Sequence, residues 1–265
     1  MTTNANKIPL IEMYGPVMQG EGVLIGRPTF FLRFGACDFF CTYCDSMHAV
    51  DDKEIEKRKT VLSAKQIAMD FLARRGNCPM VTLSGGNPVL WDLTELVNIV
   101  QEAGVAVAVE TQGSVFKPWL GLCEYVTVSP KGPGMIADWE ARIGDLLRFL
   151  VQLEHARGRR QTTVLKVPIF GRADLDYCRR LRVELAQYSQ LRRRPLPALY
   201  LSLGNFRVNT EKGLGVLPNL SFNRNELLLA YENLFNTVMT DYPELADCAI
   251  LPQMHVLIHG SELGR

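Results

Sequence analysis

Thr29-Phe30-Phe31-Leu32-Arg33-Phe34 runs without a spacer into Gly35-Ala36-Cys37-Asp38-Phe39-Phe40-Cys41-Thr42-Tyr43-Cys44-Asp45-Ser46. The first six residues are a short aromatic and apolar run, the pattern of a buried strand, and the rest is a loop of glycine, polar residues and cysteine. The same grammar recurs along the chain. Strands are expected over Thr29 to Phe34, Met80 to Leu83, Val105 to Val109, Tyr125 to Val128, Thr163 to Val167 and Ala198 to Leu203. Four of the later ones end in SGGNP, ETQGS, SPKG and SLGNF, each a small or polar segment. Helical spacing marks 63–75, 93–103, 139–154 and 175–191, and Ser63 with Gln66 three residues on predicts a capping box. Alternating strands and helices specify an α/β fold of parallel strands, whose chemistry gathers at the strand C-terminal ends.

A chain of 265 residues with 47% hydrophobic content can bury a substantial core, and it is read as one domain, 1–265. The core is expected over about 8–206, with a C-terminal extension over about 207–265 that carries a helix at 224–240 and the apolar run HVLIHG. Net charge is +1 with no long block of one sign, which argues against a nucleic-acid partner. No run of about eighteen apolar residues occurs, so no membrane partner is expected. The N-terminus lacks the basic start and apolar stretch of a secretory signal, and a cytoplasmic location follows. Seven cysteines in such a compartment stay reduced, so ligation or burial is expected of them. Cys78, Cys123, Cys178 and Cys248 stand singly among apolar or helical neighbours and read as core thiols.

Cys37, Cys41 and Cys44 are different, because a C-x3-C-x2-C loop directly after a strand brings three thiolates to one centre. A structural zinc wants four protein ligands, and His48 is available as the fourth. A [4Fe–4S] cluster also normally takes four, so three cysteines would leave one iron open. With Tyr43 before the third cysteine, the spacing resembles that of radical S-adenosylmethionine (SAM) enzymes. That resemblance implies a partial (β/α)6 TIM-like barrel, a cluster whose open iron binds SAM, and cleavage of SAM to a 5′-deoxyadenosyl radical. It also implies an electron donor such as flavodoxin or ferredoxin. The difficult chemistry then belongs to the cofactors, and no side chain is assigned as a catalytic acid, base or nucleophile. Ser84-Gly85-Gly86-Asn87-Pro88 resembles the family's Gly-Gly-Glu-Pro motif, with neutral Asn87 in the place of glutamate; read alone, it is a strand-to-helix turn.

Within that superfamily, Gln19-Gly20-Glu21-Gly22, Arg33, Cys44-Asp45-Ser46, Ser129-Pro130-Lys131 and Pro252-Gln253-x-His255 together resemble the 7-carboxy-7-deazaguanine synthase family, strongly over residues 11–131. The implied reaction converts 6-carboxy-5,6,7,8-tetrahydropterin to 7-carboxy-7-deazaguanine with loss of ammonia, and the implied state is a homodimer. Carried over by motif, Met18, Gln19, Gly20, Arg33 and Ser84 would contact the pterin, and Ser46 would bind Mg2+. Gly86, Asn87, Glu110, Ser129, Pro130, Lys131 and Gly204 would surround SAM. Each residue has a plainer reading too. Arg33 could be a strand arginine met by a core carboxylate, Lys131 could snorkel to water, Ser46 could cap a turn, and His255 could be a core histidine. The rival functions are another radical SAM activity, such as a glycyl-radical activase, and a structural zinc module.

Overall fold

The computed structural model describes residues 7–158, 160–192, 195, 197–204 and 224–259. Its strands are β1 (Ile8–Met18), β2 (Pro28–Phe34), β3 (Thr60–Leu62), β4 (Met80–Gly85), β5 (Ala106–Thr111), β6 (Tyr125–Val128), β7 (Thr162–Ile169), β8 (Ala198–Leu203) and β9 (Ala249–Leu251). Its helices are α1 (Asp52–Arg58), α2 (Ala64–Arg74), α3 (Thr94–Glu102), α4 (Trp139–Ala156), α5 (Arg172–Arg192), α6 (Arg224–Asp241) and α7 (Met254–His259). One nine-stranded sheet runs β3-β1-β2-β4-β5-β6-β7-β8-β9.

The six expected strands are neighbours in chain order, all parallel, from β2 through β8. Such single winding is that of a (β/α) barrel wall, not of a doubly wound sheet, and among the described residues β3 and β9 are its two edges. Buried helix residues follow the 3.6-residue period: Ala64, Ile67, Ala68 and Phe71 of α2 face the core. Fully burying a side chain such as Phe71 is worth roughly 1.5–3 kcal/mol. The capping box is formed, with Ser63 Oγ accepting from the Gln66 N–H at 3.2 Å while Gln66 Oε1 accepts from the Ser63 N–H at 2.9 Å.

Three strands escape the pattern. β1 runs ahead of the first expected strand up to the Gln19-Gly20-Glu21-Gly22 segment, and a bulge between Tyr14 and Val17 accommodates Gly15-Pro16. β3 and β9 are three residues each, too short for an alternation to register. β9 pairs in parallel with β8, so part of the region read as an extension continues the sheet. Asn205 and the 206/207 boundary lie outside the described residues, as do parts of the 191–197 connection. Cys78, Cys123 and Cys178 are buried and Cys248 is half-buried beside Arg182. On α6, Leu234 is buried while Leu228 and Phe235 are exposed. Among the described residues no helix is long and apolar enough to cross a membrane.

Candidate active site

The loop after β2 is drawn back across the end of the sheet. Ala36 adopts a left-handed backbone (φ +81°) that a non-glycine residue holds only when its neighbours enforce it. Its N–H donates to Ala49 O at 3.0 Å and its carbonyl accepts from the Asn87 N–H at 2.8 Å. Farther along, the Thr42 N–H donates to Met135 O at 2.8 Å. Phe39, Met135 and Ile136 form a buried apolar shell about the loop, and Tyr43 stacks on Phe170 with centroids 4.7 Å apart.

Inside that shell the three thiols of Cys37, Cys41 and Cys44 line one pocket. Burial raises all three, and Cys41 is pushed up to about 11 although the Lys131 charge works the other way. Cys44 is raised further by burial and then by the Asp45 charge. Iron would reverse this balance, since coordination deprotonates a thiol outright, so the donor set and its dry shell fit an iron–sulfur cluster. Among the described residues no three His, Cys, Asp or Glu side chains close on one point as ligands of a single metal ion.

Arg33 on β2 reaches the same pocket. The β1–β2 ladder sets Glu12 opposite it, and Arg33 Nε donates to Glu12 Oε2 at 3.2 Å. Its Nη1 donates to Ser46 Oγ at 2.7 Å and its Nη2 to Tyr14 Oη at 3.2 Å. Burial opposes the charge on Glu12, yet His48 and Arg33 hold its carboxyl below the ordinary value. Ser46 Oγ in turn donates to Asp45 Oδ1 at 2.9 Å. His48 Nε2 lies 3.1 Å from Glu12 Oε1, but their alignment is not that of a hydrogen bond.

The opposite wall carries a second cation. Lys166 of β7 forms a buried ion pair with Glu21, whose Oε1 also accepts from Gln253 Nε2 at 2.7 Å. Burial alone would raise Glu21, but Lys166 and then His255 hold it well below the ordinary carboxylate range. The Met254 N–H donates to Gly20 O at 3.0 Å, and a Cβ on Gly20 would lie 2.3 Å from His255 Nδ1. Glycine at position 20 therefore lets the start of α7 close on this loop, and Gln253, His255 and Val256 become pocket wall. Between the two cations, Glu110 on β5 accepts from Gln19 Nε2 and Ser84 Oγ, each at 3.1 Å.

No protein-family model matches the chain. The 7-carboxy-7-deazaguanine synthase of Bacillus subtilis (strain 168) is 32% identical over 264 residues, covering 98% of this chain and 99% of the relative. The chain belongs to the 7-carboxy-7-deazaguanine synthase family. The Bacillus cereus synthase is 31% identical over 263 residues, again 98% of this chain and 99% of that one. The crystal structure of QueE from Escherichia coli superposes with a TM-score of 0.59 at 18% identity, over 94% of this chain and 95% of that chain, and so shares the fold. SuiB of Streptococcus suis, solved bound to S-adenosylmethionine, shares the fold more remotely, with TM-score 0.50, 10% identity, 83% of this chain and 49% of that one.

Within this family of radical SAM lyases, the expected positions can now be placed. Met18, Gln19, Gly20, Arg33, Ser46, Ser84, Gly86, Glu110, Ser129, Lys131 and Gly204 line the pocket with the three cysteines. Lys131 Nζ donates to Ser129 Oγ at 2.8 Å. Two residues fall elsewhere. Pro130 is buried outside the lining, and Asn87 is fully buried behind it. The Asn87 side chain is engaged within the protein: its Oδ1 accepts from Thr111 Oγ1 at 2.9 Å and its Nδ2 donates to Asp38 Oδ1 at 2.7 Å and Ser114 Oγ at 3.2 Å. The glycines before it serve backbone packing, for a Cβ on Gly85 would lie 2.1 Å from Phe34 O and one on Gly86 2.1 Å from Ala36 O.

Glu12, Tyr14, Glu21, Gln112 and Lys166 line the site without having been singled out one by one. A usable signal existed for Lys166 and Glu12, each a charge inside an otherwise apolar strand, which must find a partner when buried. Gln112 and Tyr14 carry no such mark.

Proposed function

We propose that this chain converts 6-carboxy-5,6,7,8-tetrahydropterin to 7-carboxy-7-deazaguanine with loss of ammonia, in the cytoplasm and as a homodimer, with flavodoxin or ferredoxin as reductant. The observation that carries this reading is the meeting of Cys37, Cys41 and Cys44 with Arg33, Ser84 and Glu110 around one pocket in a chain that matches the Bacillus subtilis synthase over 98% of its length. When bound, the [4Fe–4S] cluster and SAM supply the hydrogen-abstracting radical.

The protein's own part is to hold and orient. Cys37, Cys41 and Cys44 would each ligate one iron, leaving the fourth for SAM, while Gly86, Ser129, Lys131 and Gly204 border the SAM side. Arg33 would pair its guanidinium with the pterin carboxylate, a bidentate match that Glu12 orients from behind. Ser46, whose hydroxyl stands between Arg33 and Asp45, would ligate Mg2+ together with substrate oxygens, a donor set suited to a hard cation. Glu110, flanked by Gln19 and Ser84, offers a carboxylate to the N–H edge of a pterin. Fixing the substrate within reach of the radical is where such a site gains most of its rate.

Anaerobic reconstitution followed by incubation with 6-carboxytetrahydropterin, SAM, Mg2+ and a reductant tests the reading. A brown protein that forms the deazaguanine product is expected. SAM cleavage without that product would refute the substrate, and a colourless protein holding one zinc would refute the whole reading.

A further inference from the structure

Asp38 follows the first cysteine of the loop, and its Oδ1 accepts two side-chain amides, Asn87 Nδ2 at 2.7 Å and Gln112 Nε2 at 2.5 Å. Both donors are neutral. Among the described residues no lysine, arginine or histidine is found in an ion pair with Asp38, whereas Glu12 meets Arg33 and Glu21 meets Lys166. A carboxylate held only by neutral dipoles is fixed in place with no cation of the protein paired to it, and so can accept from a cation that arrives later. Its position is specific as well. Gln112 Nε2 also lies 3.5 Å from Cys37 Sγ, and both Gln112 and Cys37 line the pocket, so the exposed Asp38 stands at the rim beside the first thiol. Asn87 itself is neutral and fully buried, with its carbonyl accepting from Thr111 and its amide donating to Asp38 and Ser114.

We infer that Asp38 is the anionic acceptor for the α-ammonium group of SAM, with Asn87 and Gln112 as positioning residues. The negative charge that a neutral Asn87 does not carry is supplied from the cysteine loop, one hydrogen bond away. This rests on the radical SAM reading above, and the experiment separates the two.

The measurement is equilibrium binding to the reconstituted holoenzyme of SAM and of the SAM analogue in which hydrogen replaces the α-amino group, with iron content recorded for every variant. Asp38→Asn should keep its iron and bind SAM roughly 10- to 100-fold more weakly, the range for losing a hydrogen bond to a charged group. It should bind the amino-less analogue as the unchanged protein does. The double variant Asp38→Asn with Asn87→Glu returns a carboxylate to the same hydrogen-bonded pair and should recover part of the loss. Unchanged SAM affinity in Asp38→Asn would overturn the inference, as would an equal loss for both ligands. Loss of iron in that variant would also overturn it, since the residue would then serve the loop. If the unchanged holoenzyme binds no SAM, the functional reading itself falls.

Discussion

Two cations of the pocket, Arg33 and Lys166, are each met by a glutamate from the first twenty-one residues, yet they are assembled in different ways. Arg33 and Glu12 are Cα partners in one antiparallel ladder, so the hairpin that joins β1 to β2 suffices to bring them together. Lys166 and Glu21 are 145 residues apart, and Gln253, which completes their network, is 232 residues from Glu21. β2, β4, β5 and β6 lie between β1 and β7 in the sheet, so this second pair depends on strands far apart in the chain. The Arg33 end is therefore a local device that holds a guanidinium for a ligand, and the Lys166 end is a latch tying the N-terminal loop to the C-terminal segment.

Breaking the latch should have the largest effect. Lys166→Ala leaves Glu21 buried without its cation, and unfolding in urea at pH 7 should reveal a loss of about 3–5 kcal/mol. Acid sharpens the same comparison. Because Glu21 is held below its ordinary value of 4.5, its contribution to stability is fully present above that pH and is lost as pH falls below it. In Lys166→Ala burial is no longer opposed by that ammonium, so the Glu21 pKa rises, and the part of the acid destabilisation below pH 4.5 that Glu21 contributes in the unchanged protein should shrink.

Arg33→Ala tests the local end and should act on ligand binding more than on the fold. Substrate affinity should fall by about 2–5 kcal/mol while SAM affinity changes little, as titration of the holoenzyme with each ligand would report. An equal loss of both would remove Arg33 from the substrate. Gly86→Ala comes next, because its Cβ meets Ala36 O at 2.1 Å and must push the cysteine loop away from β4. A destabilisation of about 1–3 kcal/mol is expected in urea, together with reduced iron uptake. Ser63→Ala lies far from both ends and removes only the α2 cap, so a loss of about 1 kcal/mol with unaltered SAM binding is expected.

Much of this fold is legible in the chain because the determinants are local. The six parallel strands announce themselves as apolar runs ending in small or polar residues, and the α2 start needs only Ser63 and Gln66. β1 is not legible, since Gly15-Pro16 reads as a break and only its ladder with β2 reveals that a bulge accommodates it. Asn87 is the sharper case. Its residue type marks a departure from the Gly-Gly-Glu-Pro pattern, but its partners Asp38, Thr111 and Ser114 come from two other βα connections.

What residue order alone settles here is the α/β rhythm, the placing of chemistry after the strands, and the convergence of Cys37, Cys41 and Cys44 in one loop, because each depends on neighbours a few residues apart. Tertiary structure decides which charges meet: Glu21 with Lys166, Gln253 with Glu21, Asp38 with Asn87 and Gln112. The physical reason is that a buried charge is tolerable only beside its partner, and the identity of that partner is set by which strands lie side by side.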